Sequence, residues 1–383
     1  MDRTRWDLVL LIFIGGLLAA AQFGKIALTL PEMSAAFDRP LPQIAPMVSL
    51  VGLMGLVLGA MAGGITASFG PGRTFLAGLI LGGAMSLLQA LMPGYWLFAA
   101  TRGVEGLAHL ALVVGGPPLM AAAASDRDRP LVMGLWAVFF GASLAMSAQI
   151  FPPVIAAGGL PLLFALHGLA LLALAIPLWR MVPRVAQTPI SLNPVITHLT
   201  IYRRLRSVAP GLGFVWYTFL FIALVAILPE ALDRPGLATI LPLVTLLTTL
   251  AGGALCRVIP PHVVGAAGYL GTAVGMVGTA MALPLAVEAA FAFMGLIPGA
   301  SFAAIPALNA SAADRARATG AIAQLGNLGT VSGTPLLAAI WAAAGTGALI
   351  WTVVGVSVMG LSVGYWAGRR ASGSADGDVV GVP

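Results

Sequence analysis

Twelve apolar stretches dominate this sequence, and each is long enough to cross a bilayer as a helix. They lie at residues 6–28, 43–66, 73–91, 95–122, 131–156, 160–179, 208–228, 236–256, 263–283, 285–308, 319–343 and 347–366. A spanning helix needs about 20 predominantly apolar residues, and only helices or closed barrels satisfy every backbone group in lipid. Because these stretches lack the alternation of barrel strands, the sequence predicts an all-α membrane protein with twelve transmembrane helices.

The composition favours lipid as the main surroundings of this chain. Charged residues make up only 8% of the chain, whereas a soluble domain carries about 25%. The formal net charge of +6 does not indicate nucleic-acid binding, because the basic residues form short clusters between apolar runs rather than one polar face. The sequence therefore predicts the lipid bilayer as a partner and no nucleic acid.

Motifs for catalysis and cofactor binding are missing from the sequence. Cys256 is the single cysteine, which excludes an internal disulfide and a cysteine-based metal site. There is no phosphate loop with a GKS/T ending, no HExxH pair and no GxSxG elbow. We therefore expect neither a metal nor another cofactor, and no enzymatic activity.

The distribution of Lys and Arg predicts the orientation in the membrane, because cytoplasmic loops carry an excess of both. With the amino terminus in the cytoplasm, only Arg39 and Arg234 lie outside, Lys25 and Arg102 fall within spans, and the other basic residues lie inside. This predicts a multi-pass protein of the cytoplasmic (inner) membrane with both termini cytoplasmic. Although the first residues resemble a signal peptide, their apolar run is long enough to span and we expect it to be retained.

Two halves are predicted on either side of a polar stretch. We expect an N-terminal six-helix bundle at 1–180, a cytoplasmic linker at 181–206, a C-terminal six-helix bundle at 207–368 and a disordered cytoplasmic tail at 369–383. The pattern DRxxxxG occurs at 128–134 and again at 314–320. These positions are equivalent in the two halves, which favours an internal repeat.

One short sequence in the fourth span carries a family resemblance. Residues 102–106, RGVEG, fit the RxxxG motif of the major facilitator superfamily, and the glycines at 63–73 retain part of its GxxxDRxGRR motif, with Ala67 in place of the acid. Residues 324–329, QLGNLG, resemble a segment of bacterial anion and cyanate transporters. The resemblance implies two pseudo-symmetric six-helix bundles, alternating access, a central substrate site and a monomer.

Four ionisable residues within spans are the leading site candidates, because such residues are costly in lipid and mark functional sites. They are Lys25 in the first span and Arg102, Glu105 and His109 along one stripe of the fourth. If these two spans line the cavity, as the resemblance implies, Lys25 and Arg102 bind an anionic substrate and Glu105 and His109 couple its movement to protons. A structural alternative stays open, in which Arg102 pairs with Glu105 and also bonds the carbonyls of the first span.

Weaker candidates for substrate contact are polar or aromatic residues in other positions of the spans. They are Gln22, Trp216, Tyr217, Gln324 and Asn327. Each has an alternative as a polar contact between helices or as packing. We expect His167 to lie at the periphery of any site.

The function predicted from these features is secondary active transport of a small organic or inorganic anion, coupled to protons. Three alternatives are kept. The first is a facilitator or exporter of amphiphilic, vitamin-like or drug-like compounds, although the drug-antiporter pattern GxxxGPxxGG is missing from span five. The others are a transport-dead sensor or scaffold, and a membrane-embedded enzyme.

Overall fold

A computed structural model describes residues 3–125, 127–182, 194–310 and 312–373 of the chain. All regular secondary structure in these ranges is helical, which confirms the predicted all-α fold. Helices in the first half are α1 (Trp6–Ala27), α2 (Leu30–Phe37), α3 (Leu41–Ile44), α4 (Pro46–Phe69), α5 (Pro71–Ala90), α6 (Tyr95–Ala123), α7 (Arg129–Ala137) and α8 (Phe139–Met181). Those in the second half are α9 (Pro194–Tyr202), α10 (Leu205–Ala231), α11 (Leu237–Leu255), α12 (Pro261–Ala280), α13 (Ala286–Met294), α14 (Leu296–Leu308) and α15 (Ala312–Gly373).

Ten stretches of helix in the described part of the chain are long and apolar enough to cross a membrane. Two of these are about twice the length of a single crossing, and each contains a non-helical break. The break in α8 lies at Gly158 and Gly159, and the break in α15 lies at Gly345. Counting α8 and α15 as two crossings each gives the twelve spans expected from the sequence. Gly159 and Gly345 have φ values of +69° and +75°, a left-handed conformation that glycine adopts without the cost of a Cβ.

The described residues divide into two compact units. The N-terminal unit falls within Met1–Gly55 and Ala62–Leu192, and the C-terminal unit within Leu56–Met61 and Asn193–Pro383. The boundary near residues 192 and 193 lies in the region where the sequence predicts the linker. That linker contains α9, and its residues 183–193 lie outside the described residues.

In the N-terminal unit, α1 packs closely against its neighbours. Leu8 and Ile12 on α1 and Phe75 on α5 are fully buried in one hydrophobic cluster. Small residues permit this close approach, since a Cβ added at Gly15 would lie 2.6 Å from the Phe75 ring. The same tight packing encloses the polar side chains described below.

The C-terminal unit is organised around contacts between α10 and α15. A Cβ at Gly329 or Gly333 of α15 would collide with the backbone carbonyls of Val215 and Phe219 on α10. Glycine at these positions therefore lets the two backbones meet, as is common between membrane helices. Helix α15 continues to Gly373, beyond the predicted end of the bundle at 368, and the rest of the predicted tail lies outside the described residues.

Candidate functional site

A cluster of buried polar side chains lies inside the N-terminal unit. Helix α1 contributes Lys25, α5 contributes Ser86 and Gln89, and α6 contributes Arg102 and Glu105, and each of these residues is 0% exposed. We call these five residues the buried polar network. The network is therefore enclosed in the interior of the unit.

Lys25 is held by three oxygen acceptors, as many as its ammonium group has protons. Its Nζ donates to Glu105 Oε1 at 2.6 Å, to Gln89 Oε1 at 2.7 Å and to Ser86 Oγ at 2.9 Å. The same nitrogen lies 5.2 Å from the centre of the Phe164 ring. Lys25 is thus paired and hydrogen-bonded, which is what a buried charge requires.

Glu105 joins the two cations of the network. Its Oε1 accepts from Lys25, while its Oε2 accepts from Arg102 Nη1 and from Gln89 Nε2, the latter at 2.9 Å. Arg102 also donates to two backbone carbonyls, from Nη2 to Gln22 at 2.7 Å and from Nε to Met47 at 3.1 Å. The pairing with Glu105 and the bond to a carbonyl of α1 are the two contacts of the structural alternative for Arg102.

Ser86 connects the network to His167 on α8. Its hydroxyl lies 3.0 Å from His167 Nδ1 and 2.9 Å from the Phe164 carbonyl, while His167 Nε2 lies 3.0 Å from the Leu18 carbonyl. A carbonyl only accepts, so Nε2 of His167 carries a proton. His167 is 7% exposed and belongs to this cluster rather than to the periphery where the sequence placed it.

His109 lies outside the buried polar network although it shares a helix with Arg102 and Glu105. Its Nδ1 donates to the Ala19 carbonyl at 3.0 Å, and its ring meets the Phe23 ring edge-on with centres 4.9 Å apart. The side chain is half-buried. The helical stripe predicted from the spacing is therefore divided, with Arg102 and Glu105 enclosed and His109 bonded separately to α1.

Gln22 provides an unpaired polar group beside the network. It is 0% exposed, and neither its Nε2 nor its Oε1 has a hydrogen-bond partner among the described residues. A Cβ at Gly82 on α5 would lie 2.8 Å from Gln22 Nε2, so the amide is packed directly against that glycine. Leaving a buried amide unpaired costs about 1–3 kcal/mol.

The charges of the buried polar network do not cancel. With all three groups ionised, Lys25 and Arg102 outweigh Glu105 by one positive charge. Taking a charge out of water costs several kcal/mol unless a partner compensates it. The buried polar network therefore favours either the binding of an anion or the loss of one proton.

The remaining candidates lie in the C-terminal unit. Tyr217 is buried, and its ring stacks on Phe221 with centres 5.2 Å apart, while Trp216 Nε1 has no partner among the described residues. Gln324 Nε2 lies 2.9 Å from His198 Nε2, and its Oε1 accepts from Tyr202 at 2.9 Å. Asn327 Nδ2 donates to the Ala323 carbonyl at 2.7 Å within its own helix.

The sequence singled out Lys25, Arg102 and Glu105, and the structure brings these three together. It did not single out Ser86 and Gln89, which supply two of the three acceptors of Lys25. A signal was present, since the two lie three residues apart on one face of an otherwise apolar span. Polar uncharged residues are common in spans as contacts between helices, so that signal is weak.

Comparison with known proteins identifies the family and the fold. Residues 12–334 match the family model of the Major Facilitator Superfamily. The structure resembles a bacterial homologue of the human lysosomal transporter Spinster in an inward-facing, unoccupied conformation, with a TM-score of 0.71 and 15% identity over 98% of this chain and 100% of that one. It also resembles the human organic anion transporter MFSD10 (TETRAN), with a TM-score of 0.70 and 16% identity over 93% of this chain and 98% of that one. No curated protein sequence matches the chain significantly.

Proposed function

This chain belongs to the Major Facilitator Superfamily, a family of membrane transporters, and on that premise we propose that it is a secondary active transporter that moves small anions together with protons. Transport proceeds by alternating access between its two halves, with the substrate bound centrally. The observation that carries the proposal is the buried network of Lys25, Arg102 and Glu105, which holds two cations and one acid.

Anion binding and protonation are coupled through Glu105 in this proposal. An anion that engages Lys25 or Arg102 competes with Glu105 for the same donors. As the carboxylate loses its partners, its protonated form becomes more favourable, and by reciprocity protonation of Glu105 strengthens anion binding. One proton then enters with the anion, which makes the process a symport.

Access to the network requires a conformational change, because Lys25, Arg102 and Glu105 are all 0% exposed in this structure. Alternating access supplies such a change. Two residues beside the network then take defined roles. The unpaired amide of Gln22 hydrogen-bonds the substrate, and His109, half-buried one turn beyond Glu105, passes protons to it.

The anionic substrate class rests on charge rather than on the solved relatives. The MFSD10 structure is described as an organic anion transporter, but at 16% identity the likeness extends to the fold alone. An arginine binds a carboxylate or phosphate through two parallel hydrogen bonds, while a lysine acts as a point charge. We therefore propose that this chain belongs to the subtype of bacterial anion and cyanate transporters.

A matched pair of probes tests the anion proposal. Benzoate and benzamide contain the same phenyl ring and differ in charge. Binding of each probe to the purified protein is measured by thermal shift, and uptake of each is measured in proteoliposomes with an imposed pH gradient. We expect uptake of benzoate, or of another carboxylate from a wider panel, to follow the pH gradient and to exceed uptake by protein-free liposomes, which the neutral acid enters unaided. Lys25→Gln and Arg102→Gln should weaken binding of the anion about tenfold or more, the range of a hydrogen bond to a charged group.

The control for these variants is Arg39→Gln, which removes a half-buried positive charge outside the buried polar network, whose Nη1 donates to Gln43. It should leave anion binding unchanged. If neutral probes bind most tightly, and if Lys25→Gln and Arg102→Gln leave that binding intact, the anion proposal is overturned.

A second candidate function is export or facilitated diffusion of amphiphilic compounds. It rests on Trp216, whose buried Nε1 lacks a partner among the described residues, and on the stacked ring of its neighbour Tyr217. Such a surface suits a flat ligand with one polar acceptor. Tight binding of benzamide that is lost in Trp216→Phe would favour this candidate over the first.

The topology and assembly that we propose follow from the sequence. The chain lies in the cytoplasmic membrane with both termini on the cytoplasmic side, as the distribution of arginines indicates. The family resemblance implies that it works as a monomer.

A further inference from the structure

A cavity of about 200 Å³ lies within the C-terminal unit, between α10, α12, α14 and α15. Its position follows from the ends of these helices. Arg206 and His262 are each the second residue of their helix, and Leu308 is the last residue of α14. All three line the cavity, which therefore opens at the end of the unit where α15 also ends.

Two polar groups in the cavity wall lack partners among the described residues. Ser301 on α14 is only 7% exposed, and its hydroxyl makes no hydrogen bond within the described part of the chain. Arg206 Nε is buried and has no hydrogen-bond partner there either. Because unpaired buried donors are costly, these groups point to a ligand with acceptor oxygens.

The electrostatics of this cavity favour an anion. Arg206 is the charged residue among those that line it, and none of the described lining residues is acidic. The positive ends of the α10 and α12 dipoles face it, because both helices begin there. The carboxyl ends of α14 and α15 also reach the cavity and oppose these dipoles, although Asn309 Nδ2 already donates to the Ile305 carbonyl at the end of α14. The positive charge of the cavity is therefore that of Arg206.

Aromatic residues indicate that the cavity lies at the depth of lipid headgroups. Tyr365 lines it, 5.4 Å from the His262 ring, and the neighbouring Trp366 is 52% exposed. The guanidinium of Arg370 lies 5.7 Å from the Trp366 ring. Exposed tyrosine and tryptophan with a nearby arginine are typical of the interface between membrane and water.

We propose that this cavity binds the phosphate group of an anionic ligand, at a site separate from the buried polar network. A phosphate has enough acceptor oxygens for Arg206, Ser301 and His262 at once. An anionic phospholipid is the source that the interfacial position favours, and basic pockets at this depth bind such headgroups. A soluble phosphate ester presents the same chemistry and is the other source to be tested.

Histidine resonances supply a local readout for the test. The chain contains four histidines, so ring labelling gives four signals, and His262→Asn identifies the one at the cavity. The full-length protein is placed in phosphatidylcholine nanodiscs, with increasing phosphatidylglycerol in one arm and with added glycerol phosphate in the other. We expect the His262 signal to shift and saturate with phosphatidylglycerol.

Three variants separate binding in the cavity from a general effect of surface charge. Arg206→Gln should raise the amount of phosphatidylglycerol needed for half-saturation of the His262 signal about tenfold or more. Gly265→Leu should abolish saturation with Arg206 intact, because a Cβ there has only Ala300 Cβ nearby, at 3.9 Å, and the side chain fills the cavity. Arg203→Gln removes an exposed charge three residues before Arg206 and should behave like the unaltered protein.

Each outcome bears on the proposal. Saturation with phosphatidylglycerol alone identifies a lipid site, and saturation with glycerol phosphate alone identifies a site for a soluble ester. The proposal is overturned if neither ligand shifts the His262 signal, or if Arg206→Gln and Gly265→Leu respond as the unaltered protein does.

Discussion

Lys25 Nζ and Glu105 Oε1 lie 2.6 Å apart with both side chains fully buried, although 80 residues separate them in the chain. Glu105 is at the same time the partner of Arg102. One carboxylate therefore compensates two cations, and the two cations do not depend on it equally. This asymmetry gives a direct prediction about stability.

Removing the acid should destabilise the protein more than removing the lysine. Lys25→Met leaves a neutral pair of Arg102 and Glu105, whereas Glu105→Gln leaves two buried cations without an anion. Loss of one partner of a buried ion pair costs about 3–5 kcal/mol. Thermal unfolding in detergent should rank the apparent Tm as unaltered protein, then Lys25→Met, then Glu105→Gln. Equal Tm values for the two variants, or a lower Tm for Lys25→Met, would contradict this ranking.

The coupling role of Glu105 can be tested apart from its role in folding. In proteoliposomes, Glu105→Gln should lose accumulation of the substrate against its gradient but retain exchange of labelled for unlabelled substrate. The physical reason is that exchange needs binding and movement but no net proton transfer. Loss of both activities in a variant that still unfolds cooperatively would leave Glu105 as a structural pair only.

Gly106, the glycine of the RxxxG motif, should tolerate no side chain. A Cβ at this position would lie 2.5 Å from the Val51 carbonyl of α4, and a backbone atom cannot rotate away. Gly106→Ala should lower the free energy of unfolding by about 1–3 kcal/mol, as overpacking does. Gly103→Ala on the same helix is the control, because a Cβ there meets no described atom within 4 Å. A similar loss in both variants would contradict this packing.

The break within α15 should depend on glycine. Gly345 has φ of +75° and ψ of −175°, a conformation that costs other residues roughly 1–3 kcal/mol, so Gly345→Ala should lower the Tm. Gly355 lies farther along the same helix, and a Cβ added there would meet no described atom within 4 Å. Gly355→Ala should therefore leave the Tm unchanged or raise it, since alanine favours helix. The expected result is a lower Tm for Gly345→Ala and no loss for Gly355→Ala.

Cys256 can report the orientation of the chain, because it is the single cysteine and follows directly after α11. We expect a membrane-impermeant maleimide to label it in inside-out vesicles and not in intact cells. Burial raises the pKa of the Cys256 thiol, so less thiolate is present at neutral pH. Labelling should therefore be slow at neutral pH and accelerate as the pH rises.

A cysteine on the other side of the membrane supplies the control for orientation. Arg39→Cys in a Cys256→Ala background should show the opposite pattern, with labelling in intact cells. Labelling of both positions from the same side would contradict the predicted orientation.

The sequence by itself determined the membrane architecture, because the tendency of a span to enter lipid is nearly a sum over its own residues. The same local property singled out Lys25, Arg102 and Glu105 as exceptions within apolar spans. The glycines at 158, 159 and 345 stand between predicted spans, and the long helices break at these positions. Helix ends were less well placed, as the extension of α15 to Gly373 shows.

Only the tertiary structure decided which polar groups meet. Lys25 finds acceptors 61, 64 and 80 residues away, and this depends on how the packed helices are rotated about their axes. Spacing along α6 places Arg102, Glu105 and His109 on one stripe but does not decide that His109 bonds the Ala19 carbonyl instead of joining the network. Hydropathy places a residue within a span, whereas its partner depends on close packing between helices that are distant in sequence.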